Sequence, residues 1–533
     1  MMSRAKVFLA YDKRMELHED PDEETREYQF ERPERLVFIY RKLMELQERL
    51  IQYHQMRTRR IGSESDRDGD DEKEKNKSAS RYENHYYEYV PFIQLQCKAA
   101  TRDMIELVHT PEFYKKLEAT STMTKEQLID LPTIDCTLRD GNNDDDNAEA
   151  EIDNDMYFSK DTFVAALLAA GGVVECVNRV TDPDPDPISD GAPSNCSNST
   201  SNRALAIVRP PGHHACQESV MGFCFFNSVV VAAKHAIHTQ RASKVVILDW
   251  DIHHGNGTSD LTREDSNILY ISLHRFGMSH GEKFFPGTGN YDDIGGGINP
   301  SAKGANLNIA WRSGDMGNAE YAAAMSELVL PLISAFGADL IIVSCGLDAA
   351  NGDLIGDCSV YPSMYYMMTK ALLETIGKQV PLVVALEGGY NLNVNAMCME
   401  AVALALLDEE WDEDGTGGID RGEAAVPQDR SNGLERGRAL LQPFWDSSLE
   451  KNKRENVKRS AVEDINRSIR VMRNTSLWKD VDLKEIPLHV TNVARMTRSR
   501  SKKMNDTTNG KAIEASNEIV DIDLNFALQS LSI

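Results

Sequence analysis

An α/β fold, with a central and mostly parallel sheet flanked by helices, is what this sequence predicts, on three observations. From Arg203 to Asp408, short runs rich in Val and Ile alternate with longer stretches of helical periodicity. The short runs are apolar without a break, as in strands buried on both faces. Each run is followed at once by His, Asp, Glu or Tyr, and in open parallel sheets ligands bind beyond the carboxyl ends of the strands.

The elements follow in order. Leu36, Ile39, Tyr40, Leu43, Leu46 and Leu50 fall at helical spacing behind Pro33, which predicts a helix over Glu34–Leu50. Five strands are expected at Ala204–Val208, Lys244–Leu248, Ile268–Leu273, Asp339–Ser344 and Pro381–Leu386. Helices are expected at Phe226–Thr239, Ala319–Phe336, Tyr361–Ile376 and Asn395–Leu407. Val457, Ala461, Ile465, Ile469 and Met472 predict a further helix, Glu455–Met472, docked on the main body by its apolar face. Four polar tracts lack the apolar content to offset the entropy of ordering. They lie near 57–81, 140–155, 181–202 and 409–445, and are expected as loop insertions in a body spanning 1–480, followed by a flexible tail, 481–533.

Composition narrows the function. The net charge of −26 argues against general or sequence-specific nucleic-acid binding, which needs a basic surface. No apolar run approaches a membrane span, so no membrane contact is expected. The start, MMSRAKVFLAYDKRMELHEDP, has no apolar stretch of signal-peptide length, which predicts a chain that is not secreted. Nine cysteines without a CxxC pair predict reduced thiols.

The chemistry sits at the strand ends: Arg209-Pro-Pro-Gly-His213-His214, Asp249-Trp-Asp251-Ile-His253, His274, Cys345-Gly-Leu-Asp348 and Glu387-Gly-Gly-Tyr390. Any one of these is ordinarily a helix cap or a turn; five together point to one convergent site. Asp251 and His253 flank a single residue, so in extended backbone they face the same way, as two ligands of one metal would. Asp348 supplies a third ligand from another strand end and leaves a coordination position open, the mark of a catalytic centre. Zn²⁺ is the first choice, with Fe²⁺ or another divalent ion left open. His213 and His214 are the candidate proton-transfer groups, and Asp249 a candidate to orient one ring. Tyr390 is a candidate donor to a developing oxyanion.

RPPGHHA, GFCFFN, LDWDIHHGNGT, SLHRF, FFPGTG, CGLDAANGD and EGGYNL together resemble the class II zinc-dependent histone deacetylases, densely from Ala204 to about Leu407. The resemblance implies an arginase-like fold with its active site at the C-terminal ends of the strands. It also implies hydrolysis of N6-acetyl-lysine in histones or other proteins, in chromatin and transcription regulation. It makes Asp251, His253 and Asp348 the zinc ligands and His213 and His214 the tandem general base and acid. Asp249 is then the partner of His213, and Asn256 the partner of His214. Gly222 becomes the carbonyl that accepts the substrate amide, Phe223 and Phe285 the walls of the lysine channel, and Tyr390 the oxyanion donor. A structural K⁺ is implied near Asp249, Asp251, His253, Ser272 and Leu273.

Three other readings compete. Arginase-type hydrolases need a second metal, but the positions that would hold its carboxylates are Gly255 and Ala350. Acetylpolyamine hydrolases place an acidic residue at the pocket mouth, where this chain has Ile355. A weakly active scaffold that recruits partners replaces the tyrosine, which this chain keeps as Tyr390. The expected partners are acetylated lysines, as in histone tails, and corepressor-type proteins. The basic run Arg495–Lys503 and the leucine spacing of Leu524, Leu528, Leu531 and Ile533 predict shuttling between nucleus and cytoplasm.

Overall fold

A computed structural model describes residues 5–65, 89–131, 156–182, 201–279, 281–409, 432–445 and 457–488. Its centre is an eight-stranded sheet in the order β2-β1-β3-β10-β9-β4-β5-β8, in which every neighbouring pair is parallel. The strands are β1 (Val7–Ala10), β2 (Phe92–Leu95), β3 (Arg203–Ala206), β4 (Val245–Asp249), β5 (Ile268–Arg275), β8 (Asn306–Trp311), β9 (Leu340–Cys345) and β10 (Leu382–Leu386). A short antiparallel pair, β6 (Met278–Ser279) and β7 (Glu282–Lys283), stands apart from it. All five predicted strands are present within a few residues. β1, β2 and β8 were not anticipated.

Among the described residues, the helices of seven residues or more are α1 (Glu34–Ser65), α2 (Pro111–Thr120), α3 (Thr162–Val180), α4 (Ser228–His238), α5 (Asn256–Thr262), α6 (Asn318–Phe336), α7 (Pro362–Ile376), α8 (Leu392–Leu406), α9 (Gly433–Trp445) and α10 (Arg459–Arg473). A π turn, Met325–Val329, interrupts α6. α3 and α4 pack on each other against the β1, β3, β10 and β9 region, while α1, α8, α7 and α9 pack in series. α3 and α6 are long and apolar enough to span a membrane, but about four-fifths of each window (78% and 83%) is buried inside the protein, which marks them as core helices. Both helices are thus apolar over a longer stretch than the sequence reading expects.

Two of the helices that start from the loops carrying the chemistry are capped by asparagine side chains. Asn227, at the end of GFCFFN, caps α4 by accepting from the Val230 amide (3.2 Å). Asn391, after EGGY, caps α8 by accepting from the Val394 amide (3.2 Å). Side-chain caps of this kind satisfy amides that the first turn leaves unbonded, so these two asparagines end the loops at fixed places.

Several expectations change. α1 continues to Ser65, into the tract placed at 57–81. The tract placed at 409–445 ends earlier, because α9 packs against α7 and buries Leu441. The tracts at 140–155 and 183–200 lie outside the described residues, as do Arg495–Lys503 and the C-terminal leucines. Order does not stop at residue 480. Leu483 and Ile486 are buried, and Asn466 exchanges two hydrogen bonds with the backbone of Ile486 (2.9 and 2.8 Å). Six described cysteines are free and buried, but Cys216 is disulfide-bonded, contrary to the expectation of reduced thiols throughout.

α10 docks as its periodicity predicts. Ala461, Ile465, Ile469 and Met472 are fully buried against β8 and its surroundings. The Ser468 hydroxyl donates to the Asn308 carbonyl (2.7 Å), and Trp478 Nε1 donates to the Gly304 carbonyl (2.8 Å). The segment covers β8, the strand at one edge of the sheet, and a covered edge is protected from pairing with another chain.

Candidate functional site

The register of the sheet brings the polar strand ends together. Asp249 at the end of β4 lies opposite Ser344 of β9 on one side and Ser272 of β5 on the other, and Leu386 of β10 lies opposite Cys345. With β3, β10, β9 and β4 adjacent in that order, the loops carrying His213–His214, Glu387–Tyr390, Asp348 and Asp251–His253 leave the same end of the sheet.

Asp251, His253 and Asp348 are all buried, and their ligand atoms lie within 4.8 Å of one another. His253 Nδ1 is 3.2 Å from Asp251 Oδ1 and 3.0 Å from Asp348 Oδ2. Backbone amides hold the carboxylates: Gly388 donates to Asp251 Oδ2 (2.9 Å) and Ile252 to Asp348 Oδ1 (2.8 Å). Burial pushes the Asp348 carboxyl up, and the facing charge of Asp251 adds to the shift. Among the described residues no Lys or Arg lies within ion-pair reach of either carboxylate. Two buried carboxylates and one imidazole, without a fixed cation, are a donor set that fits a divalent metal ion.

The tandem histidines sit beside this cluster, with ring centres 4.0 Å apart. His213 Nδ1 is 3.1 Å from Asp249 Oδ2, and His214 Nδ1 is 2.7 Å from Asn256 Oδ1. Each ring therefore has its own hydrogen-bonding neighbour. Tyr270, which no motif marks, donates its hydroxyl to Asp249 Oδ2 (3.0 Å). The two rings differ in proton affinity. Burial opposes charge on His213, but the carboxylates of Asp251 and Asp249 outweigh it and lift the ring to about 10. Burial, with the charges of His213 and His253, holds His214 well below its usual value.

Gly222 has φ +52°, and a Cβ there would come within 2.4 Å of His214 Cδ2 and 3.1 Å of Phe285 Cε1, so only glycine fits. The same contacts set Gly222 against both His214 and Phe285. The Phe285 ring stands edge-on to His214 (5.1 Å) and is 36% exposed, at an open rim. The Phe223 ring is 5.8 Å from that of Tyr390. Phe284 stacks flat on His253 (5.2 Å, 6°), with the Arg275 guanidinium on Phe284 (4.3 Å). Burial holds the Tyr390 phenol well above 10, so it remains a donor at any working pH. Asp353 accepts from the amides of Tyr390 (2.7 Å) and Ile355 (2.9 Å), tying the Ile355 loop to the tyrosine. Ser272 stands beside Asp249 across the β4–β5 pair and directs its hydroxyl to His274 (2.8 Å); Leu273 is fully buried.

Behind Tyr390 lies a buried network that the sequence did not reveal. Glu31 pairs with Arg35 (2.8 Å) and Arg209 (2.7 Å), and all three side chains are inaccessible to solvent. Arg35 donates to the carbonyls of Gly389 and Glu387, and its guanidinium is 5.1 Å from the Tyr390 ring. Arg209 also donates to the carbonyls of Met15 and His18 and to the Tyr157 hydroxyl. No periodicity marks partners that are 178 residues apart in the chain.

Residues 72–406 match the histone deacetylase domain. The chain is 38% identical to histone deacetylase HDA1 of Saccharomyces cerevisiae over 325 residues, covering 60% of this chain and 40% of that one. It is 31% identical to histone deacetylase clr3 of Schizosaccharomyces pombe over 406 residues, 74% of this chain and 51% of that one. Its fold is similar to the crystal structure of the HDA15 HD domain, with TM-score 0.56 and 27% identity, covering 82% of this chain and 95% of that one. The chain spans about half the length of these two yeast relatives or less. With the domain match and the parallel sheet agreeing, the chain belongs to the histone deacetylase family, on its class II side.

Proposed function

We propose that this chain is a zinc-dependent protein lysine deacetylase that hydrolyses N6-acetyl-lysine to lysine and acetate. The observation that carries the reading is the convergence of Asp251, His253 and Asp348 within 4.8 Å, beside two imidazoles that each have their own partner. A zinc ion held by those three residues would supply Lewis acidity toward the acetyl carbonyl and the attacking water. Phe223 and Phe285 flank the apolar lysine stem, and the Gly222 carbonyl accepts from the substrate amide. His213 and His214, steadied by Asp249 and Asn256, take the proton from water and return one to the departing amine. The protonated phenol of Tyr390 donates to the oxyanion of the tetrahedral state. Ile355, behind the exposed Leu354, leaves the mouth without a carboxylate at that place, which favours a peptide substrate over a polyamine.

Histone tails are the substrate class we infer, with action in chromatin regulation alongside corepressor-type proteins, in nucleus and cytoplasm. A K⁺ ion near Asp249, Asp251, His253, Ser272 and Leu273 belongs to the same proposal, supported by the adjacency of Asp249 and Ser272 across β4 and β5. The test is metal content together with turnover. The purified chain should carry about one equivalent of zinc and deacetylate an acetyl-lysine peptide in a hydroxamate-sensitive way. It should prefer that peptide to acetylspermidine. Preference for the polyamine, or a zinc-loaded chain without turnover, would overturn the reading.

A further inference from the structure

We propose that Glu387 is a positioning residue for the tandem histidines: its buried carboxylate clamps the backbone of the turn that presents them. Glu387 Oε2 accepts from the amides of Gly212 (2.7 Å) and His213 (3.2 Å), while Oε1 accepts from the Ser344 hydroxyl (3.1 Å). The residue is 1% exposed, so these bonds face no competition from water. A carboxylate accepting two successive amides fixes the plane of the peptide between them, and with it the direction of the His213 side chain.

The clamp is itself anchored. Arg35 donates to the Glu387 carbonyl, and the next residue, Gly388, donates its amide to Asp251 Oδ2 (2.9 Å). Two residues on is Tyr390. One four-residue segment therefore joins the histidine turn, a metal-ligand candidate and the phenol. Both sides of the clamp are so closely packed that only glycine fits beside it. A Cβ on Gly388 would come within 2.5 Å of Asp348 Oδ2, and one on Gly212 within 2.7 Å of the Ser228 amide nitrogen. Supporting groups of this kind set reactive geometry without touching the substrate. The inference rests on the deacetylase reading for its kinetic consequence and on the hydrogen bonds alone for its structural one.

Glu387→Ala and Glu387→Gln, made in the full chain, test it. Alanine should lower kcat roughly 10–100-fold while KM stays within about twofold. Zinc content and the Kd of a hydroxamate should be retained. Glutamine, whose amide oxygen still accepts from both N–H groups, should recover most of the loss. Hydrogen–deuterium exchange of the segment 209–216 should accelerate in the alanine variant and stay near wild type in the glutamine variant. Undiminished kcat in Glu387→Ala, unchanged exchange, or joint loss of zinc, KM and kcat in both variants would overturn the proposal. A wild-type chain inert toward the peptide would refute the deacetylase reading instead, and the exchange comparison would still decide the clamp.

Discussion

Two buried charged clusters meet at Tyr390, and they are built on opposite principles. Glu31, Arg35 and Arg209 satisfy one another and spend their remaining donors on five backbone or phenol oxygens. Asp251, His253 and Asp348 are crowded together without a fixed cation, and burial with mutual repulsion raises the Asp348 carboxyl. The first cluster is complete as folded, while the second becomes electrostatically balanced once a cation is added. Breaking a complete buried pair strands a charge and costs stability; removing a carboxylate from an overcrowded group relieves repulsion.

The sharpest test of that contrast is Asp348→Asn. Zinc content and turnover should fall to background, while the melting temperature of the chelator-treated protein should hold or rise. A fall in that melting temperature would mean that the carboxylates stabilise the metal-free fold. Glu31→Ala should behave in the opposite sense and destabilise the fold by about 3–5 kcal/mol, since it leaves two buried guanidinium groups without their carboxylate. Denaturant titration measures this, and a change below ~1 kcal/mol would show the network to be dispensable. Tyr390→Phe probes the seam between the clusters. It should leave stability nearly unchanged and lower kcat about 10²–10³-fold, the usual effect of losing one oxyanion donor.

Acid probes the first cluster. Burial alone would raise the Glu31 carboxyl, but Arg209 and Arg35 outweigh it and hold it at about 2, against 4.5 for the unperturbed group. A depressed carboxylate stabilises the fold above its unfolded value and loses that contribution as pH falls through its folded value. Roughly 3 kcal/mol should therefore disappear between pH 4.5 and 2. In Glu31→Gln, the stability lost over that window should be smaller by this amount.

The contrast also explains what the sequence disclosed. The ligand candidates were legible because each follows an apolar run, and such a run announces a strand end. The Glu31 network was not, because Arg35 lies within a helical pattern and its partners are set only by the folded topology. The same reasoning accounts for the elements that were missed. β1 is four residues long, with Lys6 before it and Asp12-Lys13-Arg14 close behind. β8 carries Asn306 and Asn308 at fully buried positions, where their amides bond to Ser259 and to the carbonyls of Asn290 and Asp293. α3 is buried nearly all round, so it shows little of the polar face by which helical periodicity is recognised. α9 was hidden by its position after an acidic, glycine-rich tract.

The strand order carries a consequence for biosynthesis. β10, the last strand among the described residues, inserts between β3 and β9 at the middle of the sheet. Until the ribosome has released Leu386, β3 and β9 have no neighbour between them, and the segment from Glu387 to Tyr390 has not joined the histidine turn. A nascent or truncated chain that stops short of that point holds Asp251, His253, Asp348 and both histidines, yet lacks the strand that joins the histidine turn to the rest of the site.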